Sequence, residues 1–170
     1  MTTTDIEQDF VVTRIVKAPL ARVWRAYSEA DQLARWWGPK GAAIRVIKLD
    51  FRPGGMFHYA MEFQPGHPIY GRFVYGLIDA PTRLEYIGAF SDEAGGITRA
   101  PFPQLKDRFP LELHNVVTFE EKDDATTVTA RSSPINTTRA EVETFVGMFD
   151  SMRGGFSGTF DKLDEHLAGQ

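Results

Sequence analysis

Few residues in this chain of 170 stand at spacings that perform covalent chemistry. The four histidines, His58, His67, His114 and His166, include no His-x-His or His-Glu-x-x-His pair that would bring two imidazoles to one metal ion. Cysteine is absent, which removes thiolate ligands, cysteine nucleophiles and disulfides together. Gly155-Phe156-Ser157-Gly158 lacks the Gly-x-Ser-x-Gly spacing of a nucleophile elbow and falls within a helical pattern. Gly38-Pro39-Lys40-Gly41 reads as a turn, without the lysine and hydroxyl of a phosphate-cradling loop. Asp161, Glu165 and His166 flank an apolar stripe and read as a solvated face. The expectation is no catalytic residue, no metal and no cofactor.

What remains is chemistry without bond making: the recognition of an apolar molecule by aromatic and thioether side chains. Strict alternation puts Phe57, Tyr59, Met61 and Phe63 on one face of a strand. The same rule turns Phe73, Tyr75 and Leu77, then Leu84 and Tyr86, then Leu113, Asn115, Val117 and Phe119 to the same side. Phe145, Phe149, Met152 and Phe156 would face them from a helix. Two readings fit this set. The aromatics either fill a solid core or line a hollow, and hollows that hold ligands are mostly apolar with a few polar groups. Those polar groups would be Tyr59, Tyr75, Tyr86 and Asn115, which either satisfy one another or orient a ligand's carbonyl or hydroxyl. Trp37, beside Trp36, either gates the hollow or anchors helix to sheet. The candidate ligand-binding residues are thus Trp37, Phe57, Tyr59, Met61, Phe73, Tyr75, Tyr86, Asn115, Val117, Phe145, Phe149, Met152 and Phe156. Glu62, Glu85 and Glu112 fall on the outer faces, where cross-strand ion pairs with Arg72, Arg83 and Arg131 are expected. A register slip of one residue would instead turn Glu112 and His114 inward and make an acid–base pair.

The elements that must position these residues read as follows. Residues 9–17 form a strand rich in Val, Ile and Thr. Pro19 opens a short helix over 19–28, and a second covers 31–37 before Gly38 and Pro39. From there the period falls to two, with strands over 44–51, 56–63, 69–78, 83–90, 111–121 and 126–133. Thr138-Arg139-Ala140-Glu141 is a capping box. It opens a long helix over 139–167, whose glycines at 147, 154, 155 and 158 predict a bend or a close approach to the sheet. Residues 91–110, with three prolines and a Gly-Gly pair, form the one long irregular span, either a lid or a solvated crossover.

Arg22-Val23-Trp24-Arg25-Ala26-Tyr27, Leu33-Ala34-Arg35-Trp36-Trp37-Gly38-Pro39, Arg52-Pro53-Gly54-Gly55-Met56-Phe57, Asn115-Val116-Val117-Thr118-Phe119 and 155–163 together resemble bacterial single-domain homologues of the activator of the heat-shock-protein-90 ATPase, within the START-like (SRPBCC) superfamily. The resemblance spans nearly the whole chain and implies one α+β domain over 1–170. Its fold would be a helix grip: a curved seven-stranded antiparallel sheet wrapped around a long C-terminal helix, with two short helices after the first strand. It also implies an internal cavity open to small hydrophobic ligands, whether lipid-like, aromatic or polyketide-like. Two other roles come with the superfamily, a cyclase or dehydratase acting through tyrosine or Asn115, and a co-chaperone stimulating a heat-shock ATPase. A homodimer is compatible with the resemblance.

Net charge is −4 from 19 basic and 23 acidic residues, with no Lys/Arg run, so neither nucleic acid nor an anionic membrane surface is an expected partner. No apolar run approaches the roughly 18 residues of a membrane span. Asp5 and Glu7 stand where a secretory leader carries basic residues. A cytoplasmic protein is the expectation.

Overall fold

The computed structural model describes residues 8–169; the acidic start at Asp5 and Glu7 lies outside them. β1 (Phe10–Val16) is followed by α1 (Leu20–Ser28) and α2 (Ala30–Trp36). Then come β2 (Ala43–Leu49), β3 (Met56–Glu62), β4 (Ile69–Asp79), β5 (Arg83–Ser91), β6 (Glu112–Lys122) and β7 (Ala125–Ile135). α3 (Arg139–Gly147) and α4 (Phe149–Ala168) close the chain. The seven strands form one antiparallel sheet in the order β1-β7-β6-β5-β4-β3-β2. This is the helix-grip arrangement, with all helices on one face of the sheet and α4 held against it.

Local chemistry explains the joints. Asp123 and Asp124 have φ of 54° and 63°, the mirror-image turn that suits a two-residue hairpin and that Asp tolerates. The Leu20 amide, an orphan at the start of α1, donates to Glu121 Oε1 at 2.8 Å, a side-chain cap reaching from β6. Trp36 is fully buried and its Nε1–H donates to the Ala26 carbonyl at 2.8 Å, so the first tryptophan of the pair locks α2 against α1. Arg14 on β1 binds Asp161 and Asp164 of α4 at 2.5 and 2.7 Å. Lys40 adds a contact to Asp161 at 3.3 Å, fixing the long helix to both ends of the fold.

The C-terminal helix is not continuous. Met148, with φ −94° and ψ 1°, separates α3 from α4 immediately after Gly147, the residue of highest backbone cost in α3. The capping box at Thr138 and Glu141 forms in both directions: the Glu141 amide donates to Thr138 Oγ1 at 3.2 Å and the Thr138 amide to Glu141 Oε1 at 2.9 Å.

Two strand residues depart from alternation. The β4–β5 register shifts between Tyr75 and Ile78, and this bulge turns Leu77 outward, half exposed at 50%. β3 ends at Glu62, one residue short, which leaves Phe63 exposed at 53%. The outer-face charges also pair differently from expectation. Glu85 binds Arg83 along its own strand at 2.9 Å and His114 across at 3.2 Å. Arg131 binds Asp9 at 2.8 Å, and Arg72 donates to the Gly95 carbonyl at 3.0 Å. With His114 on Glu85 and Asn115 inward, the register holds and the slipped acid–base pair does not form. His58, on the same outer face, is nevertheless buried at 4%, because the turn over 92–96 folds back across it and places the Asp92 carbonyl 3.2 Å from its Nε2.

Candidate functional site

The interior is solid at one end of the sheet and hollow at the other. At the solid end, α1 presses Trp24 and Tyr27 onto the sheet. Trp24 meets Phe51 and Phe119 edge-on at 5.9 and 5.5 Å, Tyr27 meets Phe119 at 5.0 Å, and Phe51 meets Tyr75 at 5.0 Å. Phe57, Tyr75 and Val117, expected in a ligand site, are buried and border neither of the chambers at the hollow end. Rings delivered by α1 cover that part of the sheet.

At the hollow end lie two adjoining chambers. The inner one, about 160 Å³, is bounded by Tyr59, Phe73, Tyr86 and Asn115 of the sheet, Met152 and Phe156 of α4, and Trp37. The outer one, about 230 Å³, shares Trp37, Tyr59, Met152 and Phe156 and extends to Met61, Pro39, Gly155 and Thr159. Phe145 and Phe149, also expected here, stand behind the wall. Phe149 packs on Phe10 at 5.4 Å and on Phe145 at 5.3 Å, and Phe10 packs on Phe156 at 5.6 Å. The break at Met148 separates α3 from α4, and Phe145, fully buried against Phe109 and Phe149, borders neither chamber.

Glycine makes the hollow. Gly71 pairs with Tyr59 across β3–β4; a Cβ there would fall 2.4 Å from the Tyr59 hydroxyl, so the ring lies down over bare backbone. Gly88 continues the inward row of Leu84 and Tyr86 with no side chain. Gly155 on α4 has nothing within 4 Å of where its Cβ would stand, although it borders the outer chamber. Reading apolar periodicity counts side chains that are present. Gly88 and Gly155 escape such a reading for that reason, the signal for Gly88 being a glycine in phase with an inward aromatic row, and Ser132 escapes it as a small polar residue.

The polar groups of the inner chamber are few. The Ser132 hydroxyl donates to Asn115 Oδ1, and Asn115 Nδ2 donates to the Leu113 carbonyl at 2.9 Å. Both residues are more than nine-tenths buried. Burial raises the Tyr86 phenol well above its ordinary value of 10.0 and takes that of Tyr59 to about 12, against a smaller lowering by a hydrogen bond from Trp37. Tyr27 and Tyr75 are raised by burial likewise. In the outer chamber the Thr159 hydroxyl lies 3.0 Å from both the Gly38 and Gly155 carbonyls. Lys162 donates to the Trp37 and Gly38 carbonyls at 3.2 Å, which fixes the backbone carrying Trp37. Trp37 itself stands edge-on to Phe73 at 5.1 Å, a wall shared by both chambers.

The segment 91–110 borders the inner chamber at its outer edge. Phe102 and Phe109 pack on Phe90 at 6.0 and 6.4 Å, and Phe109, Pro110 and Leu111 border the void. Arg99 in this segment binds Glu141 of α3 at 2.8 Å. Among the described residues no cluster of three or more His, Asp or Glu side chains could hold a metal ion, and no helix is long and apolar enough to cross a membrane.

A curved antiparallel sheet gripping a C-terminal helix, with an apolar hollow between them, defines a START-like helix-grip protein. Within that class, the chain belongs to the family described as activator of Hsp90 ATPase homolog 1-like protein, whose model matches residues 17–168. Among solved structures it is similar to the protein Ms6760 from Mycobacterium smegmatis, at 25% identity and a TM-score of 0.76 over 96% of this chain and 93% of that one. A protein from Arthrobacter aurescens matches at 25% identity and a TM-score of 0.76, over 100% of this chain and 92% of the other. One from Staphylococcus epidermidis matches at 26% and 0.72, covering 99% and 94%. A search of curated proteins found no match.

Proposed function

We propose that this protein binds a small neutral apolar molecule in the two chambers between sheet and α4, with the 91–110 segment as their lid. The observation that carries this reading is a hollow walled by rings, thioethers and glycine, with no charged side chain among its lining residues. A void of this kind forgoes dispersion contacts that a ligand would restore. Binding without turnover is the simpler role, because the lining offers no paired nucleophile and base, and burial, which raises the Tyr59 and Tyr86 phenols, makes them poor general bases.

Native mass spectrometry of the protein purified from its own host tests the proposal. The expected result is a stoichiometric small-molecule adduct, lost on denaturation and identifiable after extraction. An apo mass, joined to a failure of small aromatic probes to bind at millimolar concentration, contradicts it. The family's description favours a second reading, activation of the Hsp90 ATPase. Stimulated ATP hydrolysis by the purified chaperone would support that role.

A further inference from the structure

We infer that the inner chamber selects a neutral single-ring molecule bearing a hydroxyl group, with the hydroxyl seated between Asn115 Nδ2 and Ser132 Oγ. This inference rests on reading the cavity as a ligand site and specifies its chemistry.

Size gives the ring. At about 160 Å³ the chamber is close to the roughly 150 Å³ apolar cavity that accommodates one benzene, and it is below the roughly 300 Å³ at which drug-sized pockets begin. A fused polyketide does not fit the inner chamber alone and would have to extend into the outer one. Shape agrees, because the chamber borders the stacked pair Phe73 and Tyr86, whose centroids are 3.8 Å apart, and the edge-on Trp37. Offset and edge contacts with a third ring follow naturally from such walls.

Hydrogen-bond valence gives the hydroxyl. Ser132 spends its hydrogen on Asn115 Oδ1, which leaves lone pairs on its oxygen. Asn115 spends one amide hydrogen on the Leu113 carbonyl, and its amide carries two. Among the described residues the pair therefore offers one donor and one acceptor side by side, the complement of an O–H group. A ketone would use the donor alone. A carboxylate or an ammonium would be buried without a counter-charge, at a cost of several kcal/mol. Gly88 keeps this polar end open: a Cβ there would stand 3.2 Å from Asn115 Nδ2.

The test compares p-cresol, toluene and 4-methylbenzoate by isothermal titration with the full chain and with the double variant Asn115→Leu/Ser132→Ala, since Ser132→Ala alone would free Asn115 Oδ1 to accept in its place. The expected order places p-cresol about 25-fold tighter than toluene, roughly 5-fold for each of two neutral hydrogen bonds, and 4-methylbenzoate more than about 10-fold weaker than p-cresol. In the double variant the p-cresol advantage disappears while toluene still binds. Toluene binding the unaltered chain as tightly as p-cresol, or a preference that survives the double variant, overturns the hydroxyl assignment and leaves the apolar cavity standing. If neither neutral probe binds the folded chain, the ligand-site reading falls and this inference with it.

Discussion

A tyrosine hydroxyl withdrawn from water resists ionisation, and four of the five tyrosines here, Tyr27, Tyr59, Tyr75 and Tyr86, are in that position. Their folded values lie above the ordinary 10.0, so the stabilisation they give is complete below that value and is lost as pH rises toward the folded ones. Absorbance titration of phenolate should show these four silent up to pH about 11, then ionising together with alkaline unfolding. Independent ionisation near pH 10 without unfolding would mean that the phenols are wet. Residue types alone announced the aromatic wall and the inward Asn115, because alternation fixes the face of each side chain. They could not announce that Phe57, Tyr75 and Val117 border neither chamber, since that depends on where the helices cross the sheet. Nor did they reveal Ser132, whose small polar side chain sits on β7 beside Asn115 and carries no periodic signal.

At the level of elements, α4 holds the clearest separation of stability from binding. Gly155 costs roughly 1 kcal/mol against a good helix former, yet it lies beside the outer chamber with open space at its Cβ position. Gly155→Leu should therefore raise stability by about 1 kcal/mol, or some 2–4 °C in thermal midpoint, while abolishing binding of any probe that needs the outer chamber. Calorimetry and probe titration on one sample check both halves. The same helix pattern predicted a bend from glycine density but not its place; Gly147 and Met148 supply it. α3 is tied to the 91–110 segment, the proposed lid, by Arg99–Glu141. The Glu141 carboxyl is held below the usual range, first by the Thr138 amide and then by Arg99. That contribution is full above the ordinary value of 4.5 and is lost as pH falls through the lowered one. Hydrogen exchange should accordingly show amides of 99–110 losing protection in acid before those of β6. Thr138→Ala, which removes half of the capping box, should cost about 1 kcal/mol in the thermal midpoint analysis. Unchanged exchange in 99–110 at low pH would show that the latch does not hold the lid.

For the whole molecule, the succession of strands, the two short helices and a C-terminal helical stretch were legible because each rests on a local signal, alternation, Gly/Pro turns and a capping box, whereas the helix grip came from the family resemblance. A hollow was one of two open readings and the one the family resemblance implied, but its place was not legible, because an empty space is set by what several elements fail to supply at one place. Here those absences are Gly71 and Gly88 on the sheet, Gly155 on α4, and the break between α3 and α4 at Met148. Arg14, Lys40 and Lys162 hold α4 in position across the gap, which keeps the helix from settling onto the sheet and closing it. Xenon tests that hollow most directly, since it enters apolar cavities without needing a hydrogen bond. Under xenon pressure, amide and methyl resonances around Trp37, Tyr59, Met152 and Phe156 should shift in a saturable manner, and those around Phe119 and Tyr75 should stay fixed. Uniform or absent shifts, with the fold intact, would show a filled interior and contradict the account.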